Sequence, residues 1–293
     1  MLTKLKVQNF RSIRQMELRL LPLTALVGPN GSGKSTVLAA LDHRTTLAPT
    51  WRHIPDEVLI ERFDARGQAS RSPAGGDFIV PVQHLRLDLD RMREPIQLNP
   101  ALQLATDGGN LANLIATLPR SVQERLATEL SARVAGIRDV DVVPSGRGAH
   151  QLRFHDRWSQ TEFAPGEVSD GTILMLAFLS LRYQPQAPQL IAIEEPERGL
   201  HPYLLGELVA FLRSLTEGPD ALQIVVATHS AEFLEHMKPE EVRFLSRSPG
   251  DGNVVVREAD PNSPNWVRFY REYDDSLGSA WLSGSLGGVP HTN

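Results

Sequence analysis

The chain has 293 residues, 41% hydrophobic and 22% charged, with a formal net charge of −5, enough apolar content for a full core but no global basic footprint of the kind that binds nucleic acid over a whole surface. It has no cysteine, which excludes disulfides, thiolate metal sites and cysteine nucleophiles and fits a reducing compartment. No apolar run approaches the roughly 20 residues that span a bilayer, and alternating charges along residues 2–10 exclude a signal-peptide pattern there, so a cytoplasmic location and no membrane partner are expected.

Leu5 and Val7 alternate with Lys4, Lys6 and Gln8, and Met16, Leu18 and Leu20 alternate with Glu17 and Arg19, predicting two half-buried strands. A short apolar run over residues 23–27 then leads into Gly28-Pro29-Asn30-Gly31-Ser32-Gly33-Lys34-Ser35, which fits G-x-x-x-x-G-K-[ST], and residues 37–41 are helix-compatible. Strand, loop and helix is the order this loop requires: its N–H groups cradle phosphates, Lys34 reaches the β/γ oxygens, and the Ser35 hydroxyl binds Mg2+. Residues 47–77 sustain no period, and 70–76 are expected to be a loop. Residues 78–82 predict a strand, with Pro81 at its end or on an edge.

Residues 110–118 and 121–134 predict two helices, the second opening on a Ser121/Glu124 capping box and stopping at Gly136. Residues 137–143 and 151–154 alternate around the turn-forming 145–148, as hairpin strands do, and about 95–165 is expected to be an inserted subdomain. From Ser169 the pattern gives a helix to about Tyr183, a strand over 190–193, a helix over 202–215, a strand over 223–227 and a short helix after Ser230, the alternation of a parallel α/β sheet. Residues 242–245 and 254–257 predict a closing hairpin, and 276–293 a Gly/Ser-rich tail with Trp281 exposed.

The strand over 190–193 runs straight into two adjacent carboxylates, Glu194 and Glu195. A buried parallel strand avoids charge, so two acids at its carboxyl end need a cation or a reaction to justify their desolvation. Together with the phosphate loop they predict an ATPase site that takes ATP and Mg2+. Farther upstream, Glu167 to Thr172 opens a helix with a Ser hydroxyl, a Gly and amide N–H groups where a phosphate is attracted, although Ser and Asp are also ordinary capping residues.

In chain order, Asn9-Phe10-Arg11-Ser12-Ile13, the phosphate loop, Ser169-Asp170-Gly171-Thr172, Glu194-Glu195-Pro196-Glu197-Arg198-Gly199-Leu200-His201-Pro202 and Ala227-Thr228-His229-Ser230 resemble the ABC-type ATPase heads of the RecF, SMC and OLD group, often termed AAA-family ATPases. The resemblance covers nearly the whole sequence. It implies an α/β fold, a P-loop NTPase of ABC-ATPase type, with a mixed/parallel sheet core and an inserted helical and β subdomain. The implied organisation is one ATPase domain over 1–293: a nucleotide-binding lobe over 1–48 and 185–275, an inserted lobe with the signature helix over about 49–184, and a tail over 276–293.

In such heads two molecules sandwich two ATPs, each phosphate loop facing the other subunit's signature, so Ser169 and Gly171 would contact the γ-phosphate in trans. The resemblance further implies that Asn30, Gly31, Ser32, Gly33, Lys34, Ser35 and Thr36 bind nucleotide, that Ser35 and Glu194 hold Mg2+, that Glu195 orients or deprotonates the attacking water, and that His229 senses the γ-phosphate. Lys34, Glu195 and His229 are the catalytic candidates; charge neutralisation and positioning are what phosphoryl transfer asks of them. Gln83 is the candidate for the glutamine that joins nucleotide and metal to the helical lobe, with a surface polar residue as the alternative. Arg11 is the candidate basic residue beside the nucleotide, with a solvated turn arginine as the alternative. His201 is expected to cap, not to catalyse.

Glu194 replaces the usual Asp, and Asp170 and Thr172 stand where transporter signatures carry Gly and Gln, choices that fit the OLD-like branch and argue against a transporter subunit. Leu174 stands where close relatives would carry Arg, which weakens trans phosphate sensing from that helix. OLD nucleases carry a TOPRIM domain after the ATPase. The pairs Asp88/Asp90 and Asp139/Asp141 lack the Glu such a metal centre needs and are expected to be solvated strand faces, so the chain reads as the ATPase half alone. The expected partners are a second copy of the chain, a separate effector such as a TOPRIM-like nuclease docked on residues 277–282, and DNA, in repair or antiviral defence. The alternatives are a RecF-like clamp on duplex DNA without an effector and a nucleotide-gated scaffold that barely hydrolyses ATP.

Overall fold

The structure is a computed structural model that describes residues 1–42, 59–72, 75–76, 80–146 and 148–287. The chain opens with β1 (Leu2–Phe10), β2 (Ile13–Arg19) and β3 (Leu23–Val27), then α1 (Lys34–Leu41), β4 (Leu59–Asp64), β5 (Ala69–Ser72), β6 (Gly75–Gly76) and β7 (Val82–Leu85). Next come α2 (Leu89–Arg93), β8 (Ile96–Gln97), α3 (Leu111–Thr117), α4 (Arg120–Arg133), β9 (Ile137–Gly146), β10 (Ala149–Asp156), β11 (Glu162–Phe163) and α5 (Asp170–Ser180). The last third is β12 (Leu190–Glu194), α6 (Pro202–Leu215), β13 (Gln223–Thr228), α7 (Ala231–Leu234), β14 (Val242–Arg247), β15 (Val254–Glu258), α8 (Pro264–Arg271) and α9 (Leu277–Leu282). Two compact units result: residues 1–83, 188–195 and 212–293, and residues 84–187 with 196–211. Among the described residues no helix is long and apolar enough to cross a membrane.

In the first unit a six-stranded sheet has the order β15-β14-β3-β13-β12-β7, and β2-β1-β4-β5-β6 form a second, antiparallel sheet. Strands β3 and β13 are buried at every residue, which is why their sequences run apolar without alternation. Each buried Val, Ile or Leu there contributes about 1.5–3 kcal/mol. β1 and β2 alternate instead, pairing Leu5 with Leu18 and Val7 with Met16 on the buried face. The buried Gln223 at the start of β13 is fully used: it accepts from Leu2 N at 2.7 Å and donates to Leu2 O at 2.6 Å and Leu21 O at 3.1 Å, so its burial costs no hydrogen bond.

Among the described residues Arg62 of β4 is the largest fully buried side chain. Its Nε donates to Ala40 O and Leu41 O at 3.0 and 2.9 Å, and Nη2 to Asp42 O at 3.0 Å, closing the carbonyl end of α1 with a cation at the negative end of the helix dipole. Burial pushes its pKa down to about 10, with the Asp42 charge opposing the shift.

The second unit packs α4 and α5 with a sheet ordered β11-β10-β8, to which β9 pairs through β10. Phe154 and Leu152 of β10 and Val140 of β9 line its buried face, and α5 is buried from Gly171 through Ser180.

Several elements differ from the sequence-based expectation. The helix α4 is capped at Pro119 with no side-chain cap; Arg120 therefore enters the helix first, Ser121 falls inside its first turn, and Glu124 pairs with Arg120 at 3.2 Å instead of completing a capping box. Of the loop expected over 70–76, residues 73–74 lie outside the described residues, and β5 and β6 instead extend the edge of the second sheet. Of the strand expected over 78–82, residues 78–79 lie outside the described residues and β7 starts after Pro81. Residue 147 of the expected turn also lies outside them, and β9 runs on to Gly146. Asp88 lies at a helix start, accepting from Asp90 N and Arg91 N, not on a strand face. Asp141 pairs with Arg120 at 3.0 Å and His155 at 2.9 Å; desolvation would raise its pKa, yet these two partners hold it below the usual carboxylate range.

The tail is the largest difference. The helix α9 occupies its first part, and Trp281 is buried, with 5% of its surface exposed. Ser276 caps α9 by accepting from Ser279 N. At Gly278 a Cβ would lie 2.5 Å from Ala231 O, so the glycine is a close-approach device between α7 and α9, not a mark of a loose tail. A docking segment built on an unburied Trp281 is thereby excluded.

The Arg62 arrangement gives a direct test. Arg62→Met should keep most of the volume but leave three helix-end carbonyls without their cation, and urea unfolding should show a loss of about 3 kcal/mol.

Candidate nucleotide site

Strands β3, β13 and β12 are parallel neighbours, with Val27 opposite Thr228 and Ala227 opposite Glu194. Their carboxyl ends therefore lie side by side in the first unit. The phosphate loop leaves β3, His229 follows β13, and Glu195 follows β12. Two strand spacings, about 10 Å, separate the loop's strand from the carboxylates' strand, and the ends of such strands are where open α/β sheets bind ligands.

Two loop glycines are required by their surroundings. A Cβ on Gly28 would lie 2.3 Å from Leu245 O, and one on Gly33, at φ 106°, would lie 2.7 Å from Val254 Cγ2. Gly31, at φ 79°, has open space around its Cα and needs glycine only for its left-handed backbone. Lys34 is buried and curls back over the loop, its Nζ donating to Gly28 O at 2.7 Å and Pro29 O at 3.0 Å. Ser32 N donates to Pro29 O at 3.1 Å, while the buried Ser32 hydroxyl has no hydrogen-bond partner among the described residues, the condition a bound phosphate would relieve. Asn30 and Ser35 are exposed. Thr36 instead reaches the β1–β2 turn, its Oγ1 lying 3.1 Å from Ser12 Oγ.

Glu195 has φ 48°, in the left-handed region, where a non-glycine residue costs on the order of 1–3 kcal/mol and persists only when held. Its N–H is held by Ala227 O at 2.8 Å. Its Oε1 lies 3.4 Å from His229 Nδ1, both side chains being part-exposed at 37% and 49%. The end of β1 and the turn after it are strained in the same way, with Asn9 at φ 55° and Arg11 at φ 48°; Arg11 is exposed and its guanidinium lies over the Phe10 ring, 5.1 Å from the centroid.

Gln83 is buried in β7, at the edge of the same sheet beside β12, which excludes the surface alternative. The structure thus brings the loop residues, Glu194, Glu195 and His229 to one set of strand ends. Ser169 and Gly171 belong to the second unit, where Ser169 Oγ caps α5 by accepting from Thr172 N at 3.2 Å and a Cβ on Gly171 would meet Leu204 at 3.1 Å. Asp170 pairs with Arg93 at 2.6 Å. His201 accepts from Tyr203 N at 3.2 Å, a capping contact at the start of α6.

Among the described residues no three His, Asp or Glu side chains converge as a metal cluster. Mg2+ bound with a nucleotide needs none, since it is held by one or two protein oxygens, water and phosphate; Ser35 and Glu194 offer a hydroxyl and a carboxylate of the required hard-donor type.

A phosphate loop ahead of a helix, two carboxylates at the end of a nearby parallel strand, and a helical and β unit inserted between them define an ABC-type ATPase head of the RecF, SMC and OLD group. The chain belongs to the family described as "AAA domain, putative AbiEii toxin, Type IV TA system", whose model matches residues 51–235, and the model of an AAA ATPase domain matches residues 1–69. It is 25% identical to the OLD nuclease of Thermus scotoductus, with 92% of this chain aligned to 66% of that protein, so it spans slightly under two-thirds of that relative's length. It is 24% identical to the glutamate transport ATP-binding protein GluA of Corynebacterium glutamicum, covering 82% of this chain and 80% of that one. The fold is similar to a Pyrococcus furiosus Smc head domain with an extended coiled coil bound to the C-terminal domain of ScpA, at TM-score 0.56, 12% identity and coverage of 92% and 98%. An SmcHead bound to the C-winged helix domain of ScpA matches at TM-score 0.55, 12% identity and coverage of 88% and 98%.

The loop geometry separates two glycine substitutions. Gly28→Ala forces backbone apart and should cost about 2–3 kcal/mol, whereas Gly31→Ala, with open space around it, should cost only about 1 kcal/mol for its backbone conformation. Thermal unfolding of the two variants checks the order.

Proposed function

We propose that the chain binds ATP with Mg2+ on its phosphate loop and hydrolyses it in a composite site formed by two copies, coupling the cycle to DNA processing or antiviral defence through a separate effector. The observation that supports this most is Glu195: a carboxylate kept in a strained backbone conformation, beside His229, at the strand end two places from the phosphate loop. Strain of this kind clusters where chemistry needs a fixed group.

In this reading Lys34 leaves the Gly28 and Pro29 carbonyls to neutralise β/γ-phosphate charge, and the amide N–H groups opening α1 take the phosphate oxygens. Ser35 and Glu194 hold Mg2+, which supplies charge neutralisation to the phosphates. Glu195 orients and deprotonates the attacking water, and His229 reports the γ-phosphate back to it; burial of Gln83 fits a residue that joins the metal side of the site to the rest of the fold. Arg11, exposed on a strained turn, contributes positive charge near the nucleotide. Ser169 and Gly171 act on the ATP of the other copy, their amides being presented at the start of α5.

The similarity to an OLD nuclease supports a nuclease of TOPRIM type as the effector and DNA as the substrate of the assembly. Neither role calls for a nuclease centre in this chain.

The trans arrangement is tested by mixing two inactive variants. Lys34→Ala removes the loop cation and Ser169→Arg blocks the signature; each alone should be inactive, while heterodimers should regain one intact site in two and roughly half of wild-type ATP turnover per dimer, the non-additivity expected of residues that act as a unit. Verified heterodimers without any ATP hydrolysis contradict a shared site.

A further inference from the structure

Arg247 is the last residue of β14 and belongs to none of the motifs described above. Its Nε donates to Gly31 O at 2.8 Å, and its Nη1 donates to Ser12 O at 2.6 Å and to Gly252 O at 2.9 Å. One guanidinium therefore ties together the crest of the phosphate loop, the β1–β2 turn and the β14–β15 turn. Among the described residues no carboxylate pairs with it, and desolvation by burial lowers its pKa from the usual arginine value. A planar fork holds its donors in fixed, separated directions and so fixes three carbonyls relative to one another, whereas an ammonium is a compact charge on a flexible stem.

The neighbouring contacts carry the same link. Asn253 in the β14–β15 turn accepts from Arg14 N at 3.0 Å and donates to Gln15 O at 3.1 Å. Val254, the first residue of β15, packs where a Cβ on Gly33 would stand. Ser12, whose carbonyl Arg247 holds, touches Thr36 of α1 through its hydroxyl. Gly31 sits at φ 79° and Arg11, next to Ser12, at φ 48°, so the guanidinium clamps a left-handed loop residue and the neighbour of another.

Because the Gly31 carbonyl and the Ser32 N–H share one peptide plane, fixing the first fixes the second, and the Ser32 N–H stays in its turn to Pro29 O. The loop then keeps its concave form without a ligand to mould it, and a preorganised loop spares the ordering cost on binding.

We infer that Arg247 is a positioning residue of the phosphate loop, holding it in nucleotide-receiving form through the Gly31 carbonyl, so that the β14–β15 hairpin sets nucleotide affinity. The inference rests on the reading of this loop as an ATP site.

The test measures binding of a fluorescent ATP analogue with Mg2+ to the full-length wild type, Arg247→Ala, Arg247→Lys and Lys34→Ala, together with the melting temperature of each without nucleotide and the KM and kcat for ATP. Loss of charge-assisted bonds to the loop should weaken binding and raise KM about 10–100-fold in Arg247→Ala, with kcat at saturating ATP changed far less. Arg247→Lys, able to reach one carbonyl, should recover part of the affinity. Wild-type affinity in Arg247→Ala overturns the inference, as does a loss that tracks a collapse in melting temperature and is not relieved in Arg247→Lys. Failure of the wild type itself to bind, or equal binding by Lys34→Ala, overturns the reading of the loop as an ATP site and the inference with it.

Discussion

The parallel register of β3, β13 and β12 is the constraint from which the site follows. Three strands pair in step, with Leu23 opposite Ile224 and Leu190 opposite Gln223 at their starts, so their last residues reach the same edge together. A phosphate loop and, 160 and 195 positions beyond its Lys34, the first of a pair of carboxylates and a histidine become neighbours by one strand spacing each. The hydrophobic effect performs this alignment: every side chain of β3 and β13 is buried, and a one-residue slip would turn whole faces the wrong way.

Polar groups in the first unit are spent on holding those ends in place. Gln223 ties the start of β13 to β1 and to Leu21, Arg62 closes the far end of the loop helix, and Arg247 grips the loop from its outer side. Each is buried or part-buried and satisfied by backbone carbonyls, which is how a folded chain keeps an arginine out of water without a large loss. Their common effect is a loop helix fixed at both ends before any ligand arrives. The strained backbone of Glu195 belongs to the same economy of fixed groups, since its N–H bond to Ala227 locks it to the strand that carries His229.

Much of this was readable from the chain. The phosphate loop declares itself by spacing, the carboxylates by standing at the end of an apolar run, and α6 fell on the expected residues 202–215 because Pro202 begins an uninterrupted apolar period. What was not readable has physical reasons. The tail looked loose because Ser276 and Gly278 are loop formers by composition, yet one caps α9 and the other admits a close helix approach. Ser121 and Glu124 satisfied a capping pattern, but Pro119 moved the helix start by one residue. Arg247 carries no motif because its partners are main-chain carbonyls 216 and 235 positions away, and a backbone carbonyl has no residue-type signature. The positive φ of Glu195 is likewise a property of the fold around it.

The central claim is that the carboxylate fixed at the end of β12 acts on ATP held by the loop at the end of β3. The most direct measurement is the rate of phosphate release from ATP by the purified chain and by Glu195→Gln, with nucleotide retention followed in parallel. The account predicts that the amide, equal in shape but no base, lowers the rate by about 10²–10⁴-fold while ATP stays bound. Phosphate release by Glu195→Gln at the wild-type rate would contradict it.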